Sequence, residues 1–424
     1  MQEEFVCYLW KNKLFLPELH TVQGETIYIM HQGMRNHDAG PDFTDARIRI
    51  GSTLWAGNVE VHVNASDWMK HNHHKDKNYD NIILHVVYQN DLQILRSNKE
   101  EIPTLEVHGK FKNELYARYL DFLSASRWIP CEHSILDSPS IIRSKTIERM
   151  LIERLEKKTH FILNKLRVNQ NNWENTFYLQ LARSFGFSVN AEAFELLAHS
   201  CPLKYLGKHK GNLIQLEAML FGQAGMLKTS LHDKYHQQLK TEYEHLRNKF
   251  AFSPMDPHHW KFLRLRPVNF PTVRIAQFAA LLNKSSGLFS ALIGINSYQE
   301  AFDLFDITPS PYWETHYRFG RSSPAKSKHL GRNSILLIIL NTVIPFMFAY
   351  GKYKKDEGFT EKALNLYEDI PAEKNAIIRK WSDLGLNVTE ASQSQALLEL
   401  KKSYCDRKRC LDCDIGNYLI SGKK

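Results

Sequence analysis

Residues 40–63, GPDFTDARIRIGSTLWAGNVEVHV, decide how the amino-terminal part of this chain folds. In 44–50, Ala46, Ile48 and Ile50 alternate with Asp45, Arg47 and Arg49, the period of a strand with one buried face. Along 53–63, Val59, Val61 and Val63 point one way while Glu60 and His62 point the other. Gly40–Pro41 and Gly51 punctuate the run into separate strands. Working outward, 26–32 (TIYIMHQ) and 81–89 (NIILHVVYQ) carry the same β-rich composition. A helix is expected from Glu3 to Leu14, and another starting at Ser66 or Asp67 and running towards Tyr79. The order is helix, three strands, helix, strand.

From about Ser138 the texture turns helical. Ile147, Leu151, Leu155, Ile162 and Leu166 keep a period near 3.6 residues with charged residues between them. Further helical runs follow at 173–186, 192–199, 214–227, 229–250, 272–283, 297–306, 334–350, 359–367, 371–382 and 392–404. GRSSPAKSKHLG, 320–331, reads as a loop. The expected fold class is α+β, a small sheet domain (1–130), a large all-α body (131–390) and a cysteine-containing tail (391–424).

Composition narrows the field. The 424 residues are 43% hydrophobic and 24% charged, ordinary for a globular chain, which excludes collagen-like and wholly disordered readings. A net charge of +9 favours polyanionic partners. The apolar run SILLIILNTVIPFMFAYG, 334–351, contains Asn341 and Pro345, so a buried helix broken at the proline is expected rather than a membrane span. Six cysteines do not form a secreted disulfide framework, and no secretory leader is read at the amino terminus; the expectation is a cytoplasmic protein. No phosphate-binding Walker loop, dinucleotide turn or GxSxG elbow occurs.

The sharpest chemistry lies on the opening stretch. If the two strands pair, Asp42 and Glu60 converge, and two carboxylates about 4 Å apart repel by about 4 kcal/mol at a dielectric near 20. A divalent cation turns that repulsion into attraction, and oxygen ligands suit Mg²⁺ or Mn²⁺. His62 is placed to orient a water or steady developing charge. At these residues the chain resembles the PD-(D/E)XK phosphodiesterase superfamily, over roughly residues 1–95. The resemblance implies that Asp42 and Glu60 hold the metal, that His62 stands where that superfamily has lysine, and that the acid of the first helix is Glu4.

Asp67, His71, His73, His74 and Asp76 follow closely, with His85 on the next strand. On a continuous helix Asp67 and His71 share a face, able to bind a metal or form a carboxylate–imidazole dyad. Asp67, His71 and His73 are therefore secondary candidates, while His85 reads as a hydrogen-bonded sheet residue. In the tail, Cys405, Cys410 and Cys413 have C-x4-C-x2-C spacing, enough thiolates for three ligands of one metal, with Cys131 the first choice for the fourth and Cys7 another. Zn²⁺ and a [4Fe–4S] cluster both accept such a set. The one-then-three order is similar to that of RecB-type exonucleases stapled by an iron–sulfur cluster. Arg264, Arg266, Arg274, Arg318 and Arg321, interleaved with aromatics such as Trp260 and Phe270, are the candidates for contacting nucleic acid.

The blocks GPDFTDARI, WAGNVEVHVNASDW, LRLRPVNFPTVRIAQ, NTVIPFMFAYG and SQALLELKKSYC…CLDCDIG occur in order, and by them the whole chain resembles a bacterial family known only as a domain of unknown function. That likeness implies no activity. The expected function is a divalent-metal-dependent nuclease-like protein acting on DNA or RNA. Its rivals are a non-catalytic nucleic-acid-binding or assembly protein on a degenerate nuclease scaffold, and a His/Asp metallohydrolase.

Overall fold

A computed structural model describes residues 1–422 apart from 37, 97 and 286. Its first strands follow from the alternation read above. β1 (Leu19–His20), β2 (Thr26–His31), β3 (Met34–Arg35), β4 (Phe43–Ile50) and β5 (Thr53–Asn64) are joined by short turns and pair antiparallel. Ile50 opposes Thr53 across a turn in which Gly51 takes φ 57°. After a crossover, β6 (Ile82–Gln89) lies parallel to β5, and β7 (Thr104–Glu106) parallel to β6. The sheet order is β1-β2-β4-β5-β6-β7, with β3 beside β4. The three shortest strands lack the length that a periodic pattern needs to be recognised.

Helix α1 (Glu3–Asn12) covers one face of this sheet. Its Val6, Cys7 and Trp10 pack with Ile48, Val59, Val61 and Val86. Near β5 and β6 the opposite face carries a second cluster built from Ala65, Trp68, Tyr79, Ile82, Val87, Ile94 and Ile102. Gly57 sits where β5 meets β6 so closely that a Cβ would lie 2.5 Å from Ile83 Cγ2 and 2.8 Å from the Asn81 carbonyl.

The crossover departs from the expected helix. Helix α2 covers only Asp67–Lys70, followed by single 3-10 turns at His73–Lys75 and Lys77–Tyr79. Asn72 takes φ 62°, the left-handed conformation that ends a helix. Asp67 turns back to accept the Asn64 N–H at 2.9 Å and the Lys70 ammonium at 2.6 Å.

The chain divides into two compact units, 1–147 with 399–424, and 148–398, the division falling within the helix Ser140–Val168. In the first unit the tail helix Asp414–Ser421 packs on α3 (Asn113–Ser124): Ile420 joins Leu115 and Phe122, and Arg118 donates to the Ile420 carbonyl at 3.2 Å. The second unit is helical. Its apolar run forms one helix, Arg332–Lys354, long and apolar enough by composition to cross a membrane, yet 72% of its most apolar window is buried inside the protein. The expected break at Pro345 does not occur. A π-helical segment, Ile339–Val343, precedes the proline, and the Asn341 carbonyl, which a proline four residues on cannot serve, accepts Lys158 Nζ at 3.2 Å.

Candidate functional site

Strand alternation puts Glu60 and His62 on the face of β5 away from α1, and His85 of β6 is the register partner of Glu60. All three are buried. The early end of α2 then brings His71 and His73 back over them. His62 Nε2 lies 3.1 Å from His71 Nδ1 and 3.6 Å from Glu60 Oε1, and His73 Nε2 lies 3.3 Å from the same Glu60 oxygen. Among the described residues, His62, His71 and His73 offer three nitrogens that all fall within 4.8 Å of one another. His73 also stacks on Tyr79 at 3.8 Å, which fixes its ring plane.

Burial sets the protonation of these rings. Burial first, then the neighbouring imidazoles, pull the pKa of His62 down to about 2, and burial pulls His85 down to about 3. Both rings are therefore neutral at physiological pH and keep lone pairs. His62 Nδ1 is 2.9 Å from His85 Nε2, so a proton on His62 Nδ1 leaves its Nε2 free to face His71, His73 and Glu60. Burial also raises the pKa of Glu60, with Asp42 adding to it and the His73 contact opposing it.

Asp42 stands beside this cluster but is otherwise engaged. Its carboxylate pairs with Arg35 and accepts the Val61 N–H at 3.0 Å, while its own N–H donates to Glu60 Oε2 at 3.1 Å. The expected pair of carboxylates facing a shared ion is thus replaced by one carboxylate facing imidazoles. The expected Asp67–His71 dyad is absent: the two keep helical register, the His71 N–H donating to the Asp67 carbonyl at 2.9 Å, but the His71 ring meets His62 while the Asp67 carboxylate takes the Asn64 N–H and Lys70. Glu4, the acid the resemblance pointed to, is exposed, whereas Glu3 is half-buried and pushed up to about 7 by burial and by the charges of Asp42 and Glu60. Helical spacing could have found it, since Glu3 shares a stripe with Val6, Cys7 and Trp10.

Arg35, the partner of Asp42, also lines a cavity of about 390 Å3 together with Lys11, Arg407, Lys408 and Arg409, against the acids Glu4 and Asp412. Sequence reading named none of these cations. Those it did name lie elsewhere. Arg264, Arg266 and Arg321 are exposed, and Arg318 covers the rings of Phe262 and Phe270 at 4.3 and 4.7 Å. Arg274 is only 5% exposed and so is not part of a surface track. Trp260 is buried, donating to the Ala224 carbonyl at 2.9 Å.

Five of the six cysteines lie in the first unit, Cys201 being buried in the second. Cys405 and Cys410 are each influenced by Cys131 and Cys413, and burial is the main cause that pushes Cys131 and Cys410 up to about 12. Cys7 answers instead to Asp42, Arg35, Glu3 and Glu60, so it belongs beside the carboxylates rather than with the tail. No cysteine is in a disulfide.

The fold is that of an α+β protein with a cluster of histidines and Glu60 on one face of a mixed sheet. The chain belongs to the family described as Protein of unknown function (DUF2851), whose model matches residues 3–376. The matched span includes the histidine centre and Cys131 and stops before Cys405, Cys410 and Cys413. No match is found among curated proteins or among solved structures.

Proposed function

We propose that this protein is a divalent-metal-dependent hydrolase of nucleic-acid phosphodiesters, with the ion held by Glu60, His62, His71 and His73. The observation that carries the reading is the convergence of three imidazole nitrogens, from buried His62, half-buried His73 and exposed His71, with a Glu60 oxygen beside two of them. Such a nitrogen-rich set suits Zn²⁺ or Mn²⁺ better than Mg²⁺, which prefers oxygen and water. A bound ion there would supply Lewis acidity to a phosphoryl oxygen and a more acidic water. His85 positions His62 through the 2.9 Å contact between its Nε2 and His62 Nδ1, and Asp42 orders the Glu60 carboxylate through its backbone N–H. Glu3, poised near neutrality, is suited to carry a proton. Arg35, the partner of Asp42, also lines a basic cavity on the α1 side, whose cations suit a phosphate backbone. Cys131, Cys405, Cys410 and Cys413 are the candidate ligands of a structural Zn²⁺ or [4Fe–4S] cluster, which would have to draw their sulfurs together, since no three of them lie within 4.8 Å of one another.

The test is elemental analysis of the purified full chain, with a visible spectrum, alongside cleavage assays on single-stranded DNA and RNA with Mn²⁺ or Zn²⁺. One ion should be lost in His73→Ala and in Glu60→Gln, and cleavage should fall at least a hundredfold with it. An intact ion with salt-sensitive nucleic-acid binding and no cleavage would make it a binding module instead.

A further inference from the structure

The helical unit contains a second cavity, of about 310 Å3, unrelated to the histidine centre. Arg274 lines it. The guanidinium donates to Gln277 at 2.9 Å, Asn269 at 2.6 Å and Ser334 at 2.9 Å, all neutral, and its Nε–H has no acceptor. Among the described residues no carboxylate pairs with it, and none lines the cavity. Buried charges are ordinarily paired, so an arginine kept among amides and hydroxyls lacks its anion. Burial alone pulls its pKa down to about 10, which leaves it charged.

Three helices begin at the same cavity. Asn190 precedes the helix Ala191–Ser200, Pro271 opens the helix Pro271–Lys284, and Asn333 and Ser334 lie in the first turn of the helix Arg332–Lys354. None of these ends has a side-chain cap; the Asn190 side chain is spent on the backbone of Lys261. Helix starts carry partial positive charge, which at this wall adds to the guanidinium, most directly from the first turn that brings Asn333 and Ser334 to the cavity. Such a wall suits an anion, and a phosphoryl group offers it more acceptor oxygens than a carboxylate. Phe187 completes the lining, packed under the guanidinium at 4.6 Å, and holds φ 48°, a strained backbone for a bulky residue of the kind retained where a ligand is bound.

We infer that this cavity binds a small phosphate-bearing molecule, its phosphoryl group against Arg274 and the three helix starts and its apolar body against Phe187. The volume is at the small end of ligand pockets, which excludes a polymer as occupant.

The experiment is calorimetric titration of the full chain with inorganic phosphate, phenyl phosphate and benzoate. Phenyl phosphate should bind saturably and more tightly than phosphate, with benzoate at least tenfold weaker. Arg274→Gln should weaken phenyl phosphate at least tenfold. Should that variant fail to fold, Ser334→Asp carries the test: it supplies the missing anion from within the chain, so it should raise the melting temperature and abolish the titration. A response that survives Ser334→Asp, a benzoate affinity equal to that of phenyl phosphate, or no saturable response to phenyl phosphate would overturn the assignment.

Discussion

Glu217 is fully buried in the helix Leu213–Gln223, with the Tyr235 hydroxyl donating to it and Ser310 Oγ donating at 3.0 and 3.2 Å. Burial outweighs these hydrogen bonds and raises its pKa from 4.5 to about 7. The folded carboxyl therefore holds its proton more tightly than the unfolded one. Its contribution to stability is complete below pH 4.5, is lost as pH rises towards 7, and is constant above that. A gap of about 2.5 in pKa at 1.36 kcal/mol each makes the loss about 3 kcal/mol. Glu217→Gln keeps one acceptor and removes the titration. It should match the parent near pH 4.5 and exceed its stability by about 3 kcal/mol at pH 8. Because the two units need not unfold together, the assay is hydrogen exchange of segment 213–223 in both proteins, at pH values from 5 to 8 corrected for intrinsic rates. Parallel pH profiles, or a glutamine variant less stable at pH 8, would refute the reasoning.

Three further outcomes are expected. His62 and His85 have folded values of about 2 and 3, below the usual 6.5, so their contribution is present above pH 6.5 and lost on acidification. At pH 5 each should cost the metal-free sheet unit about 2 kcal/mol, visible as faster exchange in β5 and β6. Gly57→Ala forces a Cβ against the Asn81 carbonyl and should destabilise the same unit by about 1–3 kcal/mol in urea titrations, while the helical unit is unaffected. Arg407→Ala and Lys11→Ala, on the wall of the larger basic cavity, should each reduce the salt dependence of DNA binding by about one counterion; an unchanged slope removes that cavity from the interface.

The site was partly legible because its pieces are local. Glu60 and His62 share a strand face by simple alternation, and the crowding of His71 and His73 within a dozen residues marked them as candidates. Their pairing was not legible. Whether His71 faces Asp67 or His62 depends on side-chain direction within an intact helical turn, and where His73 lies depends on a left-handed asparagine at position 72 that ends a pattern reading as helix for two more turns. Asp42 was read as a ligand because its arginine partner, seven residues earlier, lies on a two-residue strand with no periodic signal. Arg274 was read as an exposed cation because side-chain type reports average burial, and this arginine departs from the average.

Hydrophobic periodicity by itself determined the α+β class, the order of the main strands and most of the helices, since a one-residue slip would carry every apolar side chain to the wrong face. Proximity along the chain likewise marked His71 with His73, and Cys405 with Cys410 and Cys413, as groups to examine together. Tertiary structure alone decided which donor atoms point at one another, which carboxylate is already spent, and that an arginine lies buried without an acid. Those are properties of directions and distances between segments far apart in sequence, and no local pattern encodes them.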